Sequence, residues 1–188
     1  MKKNILIIML TVVCLQCIKA QGQTNMQKYA KTESTHIIDI GLINAGYTYE
    51  YAFAPKFTLN FGAGIAGSIG YASSNLSDSQ WFYSFHPYLS IEPRYYYNLQ
   101  KRLNKNKKID GNCGSFFAIQ SGYVLKPFVQ KNIYYDKALG GISPYWGLRR
   151  IWGEHFLFEF HAGLAIGFNN YSDSDIGINL GLRFGYMF

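Results

Sequence analysis

The stretch that decides the fold is the C-terminal one, residues 176–188, which reads IGINLGLRFGYMF. One set of alternate positions is large and apolar: Ile178, Leu180, Leu182, Phe184, Tyr186 and Phe188. The positions between them are mostly small or polar: Gly177, Asn179, Gly181, Arg183, Gly185 and Met187. Alternation with period two predicts a β-strand. A soluble sandwich would place Lys, Glu and Thr opposite its core, whereas glycines on that face favour the narrow lumen of a barrel with its bulky face toward lipid.

Two other stretches repeat this alternation. In residues 156–168, phenylalanines and aliphatic residues alternate with a set that includes Glu159, His161 and Gly163. In residues 81–99, aromatic and aliphatic residues alternate with a set that includes Ser84, Glu92 and Arg94. Three strands of this length, each with a polar and an apolar face, would be difficult to place in one small soluble core.

The sequence predicts an all-β fold, a closed antiparallel transmembrane β-barrel of about eight strands in residues 35–188. The predicted strands are Thr35–Ile43, Gly46–Ala54, Phe57–Tyr71, Trp81–Leu99, Ser115–Pro127, Gly140–Trp152, Phe156–Asn169 and Ile176–Phe188. The division between the first two depends on interpreting Asn44, Ala45 and Gly46 as a tight turn, because an even count is required when both termini lie on one side of the membrane.

The predicted connections differ in length at the two ends of the barrel. Short turns at 55–56 and 153–155, together with the long basic connection 100–114, are placed at the periplasmic end. Outer loops are predicted at 73–80, 128–139 and 170–175, the first and last of them rich in Ser, Asn and Asp.

The N-terminus predicts export. Lys2 and Lys3 precede an apolar run from Ile5 to Val13, and Ala20 is a small residue suited to cleavage, so residues 1–20 are interpreted as a signal peptide and 21–34 as a polar linker. The apolar run is too short for a transmembrane helix. Cleavage would leave Cys113 as the sole cysteine, which rules out an internal disulfide in the exported chain.

These features together resemble small outer-membrane barrel proteins of the OmpA-transmembrane and OmpX kind. Segments 46–53 (GYTYEYAF), 93–99 (PRYYYNL) and 147–150 (GLRR) are similar to those of outer-membrane barrel proteins of Bacteroidota. The resemblance implies residence in the outer membrane of a Gram-negative bacterium, contact with its lipid, and assembly by the barrel-assembly machinery. It also implies that Phe188, with Phe184 and Tyr186 on the same face, is part of the assembly signal that this machinery reads.

The predicted lumen contains charges of both signs in similar number: Asp39, Glu50, Glu92, Glu159, Arg94, Arg149 and Arg183. Buried charges are costly unless they are paired, and an eight-stranded barrel is only wide enough for its side chains to fill. We therefore expect an interior salt-bridge network and a plugged lumen. Because Arg183 lies among glycines, removing it is expected to leave a carboxylate without compensation.

The resulting hypothesis is a non-enzymatic barrel, structural or adhesive, with no cofactor or metal and an extracellular ligand that the sequence does not identify. One alternative is a lipid-modifying enzyme that uses His86 with Ser84, Ser90 and Glu92, which share a strand face. A small-solute channel is another. Glu159 and His161 are too few ligands for a metal site, and the basic connection 100–114 is interpreted as a solvated turn rather than a nucleic-acid surface.

Overall fold

The structure of the chain is a computed structural model that describes residues 29–41, 43–74, 77–133, 139–168 and 175–188. The predicted signal peptide, residues 1–20, and residues 21–28 of the predicted linker lie outside the described residues.

Nine strands and two short helical segments form the described chain. The strands are β1 (Thr35–Gly41), β2 (Asn44–Ala54), β3 (Phe57–Ser74), β4 (Ser77–Tyr96), β5 (Ser115–Val124), β6 (Val129–Lys131), β7 (Leu139–Trp152), β8 (Phe156–Phe168) and β9 (Asp175–Met187). Between β4 and β5 lie helix α1 (Leu99–Leu103) and a single 3₁₀ turn (Asp110–Asn112).

Eight of these strands close into an antiparallel barrel in the order β1-β2-β3-β4-β5-β7-β8-β9. The barrel closes where β9 pairs with β1, from Ile37 opposite Met187 to Gly41 opposite Arg183. The three-residue β6 is not a ninth wall strand, because it continues β5 along β4: Val124 pairs with Tyr88 and Val129 with Phe85. The predicted closed, eight-stranded, all-β fold is confirmed.

Alternation sets the two faces of the wall. Along β9, Ile178 and Leu180 are 78% and 67% exposed, whereas Arg183 between glycines points inward. Each of the eight barrel strands carries at least one large apolar side chain that is exposed on the outside. Along β1, Ile37 and Asp39 are buried while Ile38 and Ile40 are exposed, so the inward and outward sets follow strand parity as the pattern predicts.

The predicted turn at Asn44, Ala45 and Gly46 is wrong. These residues are already in β2, where Ala45 pairs with Ile40 and Gly46 with Asp39. The link between β1 and β2 therefore lies before Asn44, and β1 and β2 remain two separate strands.

Other connections also differ from the prediction. Most of the predicted loop 73–80 is strand, because β3 runs to Ser74, β4 begins at Ser77, and these two residues pair. β4 ends at Tyr96 rather than Leu99, which starts α1. β5 ends at Val124 rather than Pro127, and part of the predicted loop 128–139 is β6. In the predicted loop 170–175, residues 170–174 lie outside the described residues and Asp175 begins β9.

The barrel has two distinct ends. We call the end that holds the turns 55–56 and 153–155 and the connection 97–114 the terminal end, because Thr35 and Phe188 lie there. The opposite end is where β1 stops at Gly41 and β3 at Ser74. On that side β3 extends past its last pairing with β2, Ala66 opposite Asn44, so the β3–β4 hairpin stands above the neighbouring wall.

The described part of the linker packs against the terminal end. The Thr32 amide donates to the Pro55 carbonyl at 3.0 Å, and the Ala30 amide donates to the Gln100 side chain at 2.9 Å. The backbone of Glu33 exchanges two hydrogen bonds of 2.8 Å with the Asn112 side chain. Residues 29–34 are thus a strap that ties the connection 97–114 to the rim of the barrel.

Candidate functional site

The candidate site is the lumen, and all seven charged residues that the sequence places there point into it. Asp39, Glu50, Glu92, Arg94, Arg149 and Glu159 are each at most 4% exposed, and the side chain of Arg183 is 15% exposed. They come from β1, β2, β4, β7, β8 and β9. Strand parity positions them, because alternate residues of a strand share one face.

Glu159 is the centre of the charge network. Arg94 binds it in a bidentate pair, with Nη1 to Oε2 at 2.9 Å and Nη2 to Oε1 at 2.8 Å. Arg149 donates from Nε to Oε2 at 3.0 Å, and Arg183 donates from Nη2 to the same oxygen at 3.3 Å. Bidentate arginine–carboxylate pairs are among the strongest ionic contacts in proteins. These contacts therefore offset the desolvation cost of burying the Glu159 carboxylate.

The other two glutamates complete the network. Glu50 accepts from Arg149 Nη1 at 2.5 Å, from the Thr58 hydroxyl at 2.7 Å and from the Tyr96 hydroxyl at 2.9 Å. Glu92 pairs with Arg94 Nε. Three arginines therefore face three glutamates, and the network is balanced in charge.

The fourth predicted acid, Asp39, lies apart from these pairs. Its Oδ1 accepts a hydrogen bond from the Thr48 hydroxyl at 3.2 Å. Within the part of the chain that the structure describes, no arginine, lysine or histidine forms an ion pair with it. Asp39 is thus the acid without a direct ion pair in the described chain, although Arg183 lies near enough to interact with it electrostatically.

A cluster of buried side chains, which we call the apolar floor, packs against the network. Its buried residues are Ala30, Tyr96, Leu99, Phe116, Ala118 and Tyr145. The guanidinium of Arg94 lies 4.2 Å from the centre of the Phe116 ring, which places a cation over an aromatic face. The floor and the network thus form one packed unit.

The 3₁₀ turn of the connection 97–114 also reaches this unit. The carbonyl of Gly111 accepts from Arg149 Nη1 at 3.2 Å. Gly111 has φ +62°, and an added Cβ there would lie 2.3 Å from Ile151 Cδ1 and 2.4 Å from Met187 Cε. This position therefore requires glycine both for its backbone conformation and for its close approach to the wall.

The residues of the enzyme hypothesis are divided between different partners. His86 Nε2 lies 2.9 Å from the Ser84 hydroxyl, and His86 Nδ1 lies 3.0 Å from the Leu125 carbonyl. Ser84 is fully buried and its hydroxyl also lies 2.7 Å from that of Ser68. Glu92, the proposed acidic member, is bound by Arg94. The histidine and Ser84 are therefore adjacent, but this hydroxyl is enclosed by other side chains.

Glu159 and His161 lie on the same face of β8 but contact different side chains. His161 Nε2 lies 3.2 Å from Asn179 Oδ1, and Asn179 Nδ2 donates to the Ser143 hydroxyl at 2.6 Å. Ser143 in turn donates to the Leu164 carbonyl at 2.5 Å, opposite Pro144, which has no amide hydrogen to offer. Across the described ranges, no group of three His, Cys, Asp or Glu residues could hold a metal ion.

A cavity of about 390 Å³ occupies the lumen between the charge network and the opposite end. Asp39, Glu92, Glu159 and Arg183 supply its ionisable carboxylates and guanidinium, and His161 and Tyr88 also line it. Glycine lines the cavity on β5 at Gly122 and on β9 at Gly181. The lumen is thus filled in one half and hollow in the other, whereas the sequence predicts only that side chains plug it.

The three residues of the predicted assembly signal face outward on β9. Phe184, Tyr186 and Phe188 are 40%, 52% and 58% exposed. Beyond the last residue of β9, the Phe188 amide donates to the His36 carbonyl at 3.0 Å, and the Phe188 carbonyl accepts from the His36 amide at 3.3 Å. The C-terminal residue therefore takes part in closing the barrel.

Several contributors to the site were not singled out by sequence reasoning. Tyr96 shares the strand parity of Arg94, so alternation could have identified it as a lumen residue. Thr35, Thr48 and Thr58 also follow inward parity on their strands. The strap 29–34 and the turn at Gly111 had no such signal, because neither is in a strand.

Comparison of the chain with protein-family models, with curated proteins and with solved structures found no match. In the described residues, no helix has the length and apolar character needed to cross a membrane.

Proposed function

We propose that this chain is a non-enzymatic β-barrel of a bacterial outer membrane, structural or adhesive in role, with a lumen plugged by side chains at its terminal end. The proposal rests on the distribution of charged and apolar side chains, which is the reverse of that in a soluble protein. Charged side chains form the interior network, and large apolar side chains are exposed on all eight barrel strands. Apolar surface of this extent is unfavourable in water and favourable in lipid.

The proposal assigns the terminal end to the periplasm and the opposite end to the exterior. It takes outer-membrane lipid and the barrel-assembly machinery as partners, with Phe184, Tyr186 and Phe188 as the assembly signal, and no nucleic acid. An adhesive role is supported by the β3–β4 hairpin, since the edge of β3 beyond Ala66 has no β2 partner in the described chain. It would carry exposed Ile69, Tyr71 and Trp81 outward from the membrane.

Two structural features support a non-enzymatic, non-conducting role. The Ser84 hydroxyl beside His86 is fully buried, so a lipid substrate has no approach to it in this conformation. Toward the terminal end, the lumen contains buried ion pairs and the apolar floor, and a barrel of eight strands is only wide enough for its side chains to fill.

Membrane residence is tested by fractionation and by gel mobility. We expect the protein to remain with outer membranes after urea extraction and to migrate faster on gels before boiling than after. In planar bilayers the folded protein should carry no steady current. Recovery as a soluble periplasmic protein would overturn the proposal, and a stable open conductance would favour a channel.

The assembly signal is tested in the same experiment with Phe188→Ser. A matched control is Phe156→Ser, which removes an outward aromatic residue of similar exposure, 47%, from the neighbouring strand at the same end. We expect the first variant, and not the second, to lower the amount of heat-modifiable barrel. Equal losses would show that Phe188 is only another lipid-facing residue.

A further inference from the structure

A basic cluster lies at the terminal end of the barrel. It consists of Arg102 and Lys108 from the connection 97–114 and Arg150 from β7. Arg102 donates from Nε and Nη2 to the Lys108 carbonyl at 3.1 and 2.8 Å, which holds these two residues together. Lys108 Nζ donates to the Gly153 carbonyl, in the turn that follows β7. The connection thus brings two cations to the rim of the strand that carries Arg150.

Arg150 is a charged residue on the outward face of the wall. Its neighbours in β7, Arg149 and Ile151, are buried on the inside, so alternation directs Arg150 outward. Among the outward residues of the eight barrel strands whose side chains the structure describes, it is the one Asp, Glu, Lys or Arg. A charge on the lipid face of a membrane barrel is costly at the midplane and tolerated near an interface. Arg150 is two residues from the end of β7, about 7 Å along the strand, and so lies near the rim.

The basic cluster has no acidic partner in the described chain. None of Arg102, Lys108 and Arg150 forms an ion pair there. Arg102 and Arg150 are close enough to repel each other, and both interact with the Cys113 thiol, whose sulfur lies 3.4 Å from Arg102 Nη2. Like charges at short range are unfavourable unless an anion compensates them. All three cations are partly exposed, so an anion outside the wall can reach them.

Aromatic side chains lie beside the basic cluster on the outer surface. Trp152 and Phe156 are 56% and 47% exposed, and their rings stack with centroids 5.8 Å apart. Trp152 also stacks with Phe158, which pairs with Arg150 between β7 and β8. Aromatic girdles of membrane barrels lie at the level of the lipid headgroups. An anion bound by the cluster would therefore lie next to a surface suited to lipid.

We propose that the basic cluster binds the phosphate of an anionic phospholipid, whose acyl chains lie against the outward side chains of the wall. Guanidinium groups form strong, directional hydrogen bonds to phosphate, and lysine adds a further positive charge. The inference rests on the proposed function, because lipid surrounds the wall only if the barrel spans a membrane.

The test measures which lipid contacts Trp152. The other two tryptophans, Trp81 and Trp146, are replaced by Phe. The full mature chain is then folded into phosphatidylcholine vesicles that contain a minor fraction of dibrominated phosphatidylglycerol or dibrominated phosphatidylcholine. Bromine quenches tryptophan fluorescence on contact, so the difference in quenching reports local enrichment of one lipid. We expect phosphatidylglycerol to be enriched at Trp152 about fivefold or more, since each Lys or Arg near anionic lipid contributes about that factor.

Two variants of this reporter protein locate the site. Arg150→Gln and Arg102→Gln should each reduce the enrichment about fivefold, because each removes one cation of the basic cluster. The matched control is Lys56→Gln, which removes the same charge from an exposed turn at the same end. That turn joins β2 to β3, on the opposite side of the barrel from β7, and its loss of charge should leave the enrichment unchanged.

The source of the phosphate is tested by competition. Sodium phosphate, compared with sodium chloride at equal ionic strength, should leave the preference for phosphatidylglycerol in place, because only the lipid also contacts the aromatic surface. Loss of the preference in phosphate alone would assign the basic cluster to a free anion and overturn the lipid site.

The outcomes separate this inference from the proposed function. Equal quenching by the two brominated lipids, in a protein that keeps its fast gel mobility before boiling, overturns the lipid site and leaves membrane residence intact. An equal loss of enrichment in Lys56→Gln also overturns it, since the effect would then be one of overall charge. Absence of quenching by either lipid contradicts membrane residence, and the lipid site with it. Should one arginine variant fail to fold, the other variant and the comparison of lipids decide the matter.

Discussion

The two halves of the lumen follow the same strand alternation but are filled in different ways. Toward the terminal end, an added Cβ on Gly147 would lie 2.3 Å from Phe116 Cζ, so this glycine makes room for a ring from the neighbouring strand. Toward the opposite end, an added Cβ on Gly122 would meet nothing within 4 Å. An inward glycine can therefore mean close packing or empty space, depending on whether a large side chain lies beside it.

Charge follows the same division. Around Glu50 and Glu159, acids and arginines are matched and enclosed, whereas Asp39 faces the cavity with a hydroxyl as its partner. The packed half has the features of a structural core, since every described glutamate in it is paired. The hollow half combines open space beside Gly122 with a carboxylate, Asp39, that forms no direct ion pair in the described chain. Substitutions in each half test this contrast.

The largest effect is expected from Arg149→Met in the packed half. This change leaves Glu50 without its arginine and removes one of three arginines from Glu159, in surroundings where both acids are almost fully buried. Breaking a buried pair costs about 3 to 5 kcal/mol. The midpoint of urea unfolding in lipid vesicles should fall accordingly. Lys56→Met, in an exposed turn, removes the same charge and should leave the midpoint unchanged; equal stability of the two variants would contradict a structural network.

A smaller loss is expected from Arg183→Met at the border between the halves. The sequence predicts that this variant leaves a carboxylate uncompensated, but in the structure Glu159 keeps Arg94 and Arg149. The variant therefore loses one charged hydrogen bond, of 3.3 Å, worth about 1.5 to 3 kcal/mol. A loss as large as that of Arg149→Met, measured in the same unfolding experiment, would show that the three arginines do not compensate for one another.

The difference between these two arginines shows which features of the charge network could be predicted from the sequence. Alternation correctly placed all seven charged residues inside the barrel, because parity depends on the local strand alone. It could not predict which acid each arginine would bind, since Arg94 and Glu159 are brought together by strands that are not neighbours in the wall. Strand alternation also gave no indication of the strap 29–34 or of the turn at Gly111, because their contacts depend on the tertiary structure of the terminal end.

The hollow half was unpredictable for a related reason. Gly122 and Gly147 have the same inward parity in the sequence, and only the structure shows that Phe116 lies beside one of them. The turn at Asn44 to Gly46 was misplaced because small residues that suit a turn also suit a crowded wall. Here an added Cβ on Gly46 would lie 2.4 Å from the Tyr88 hydroxyl oxygen.

Gly147→Ala is expected to destabilise the packed half. Its methyl group would overlap the Phe116 ring, which is fully buried in the apolar floor against Arg94 and has little space into which to move. Overpacking of this kind costs roughly 1 to 3 kcal/mol. The unfolding midpoint should fall, and the double variant Gly147→Ala with Phe116→Leu should recover part of the loss. A midpoint equal to that of the unmodified protein would show that the floor is loosely packed.

Gly122→Ala is the matched change in the hollow half, and its effect should be the smallest. Its methyl group enters open space, so no overpacking penalty applies, and alanine restricts the unfolded chain more than glycine does. We therefore expect a free energy of unfolding that is unchanged or raised by no more than about 1 kcal/mol, and a midpoint that is unchanged or slightly higher. The measurement is the same urea titration, run beside Gly147→Ala so that side-chain chemistry and method are identical. If both variants lose stability equally, the cavity beside Gly122 is closed in the folded protein, and the contrast between the two halves fails.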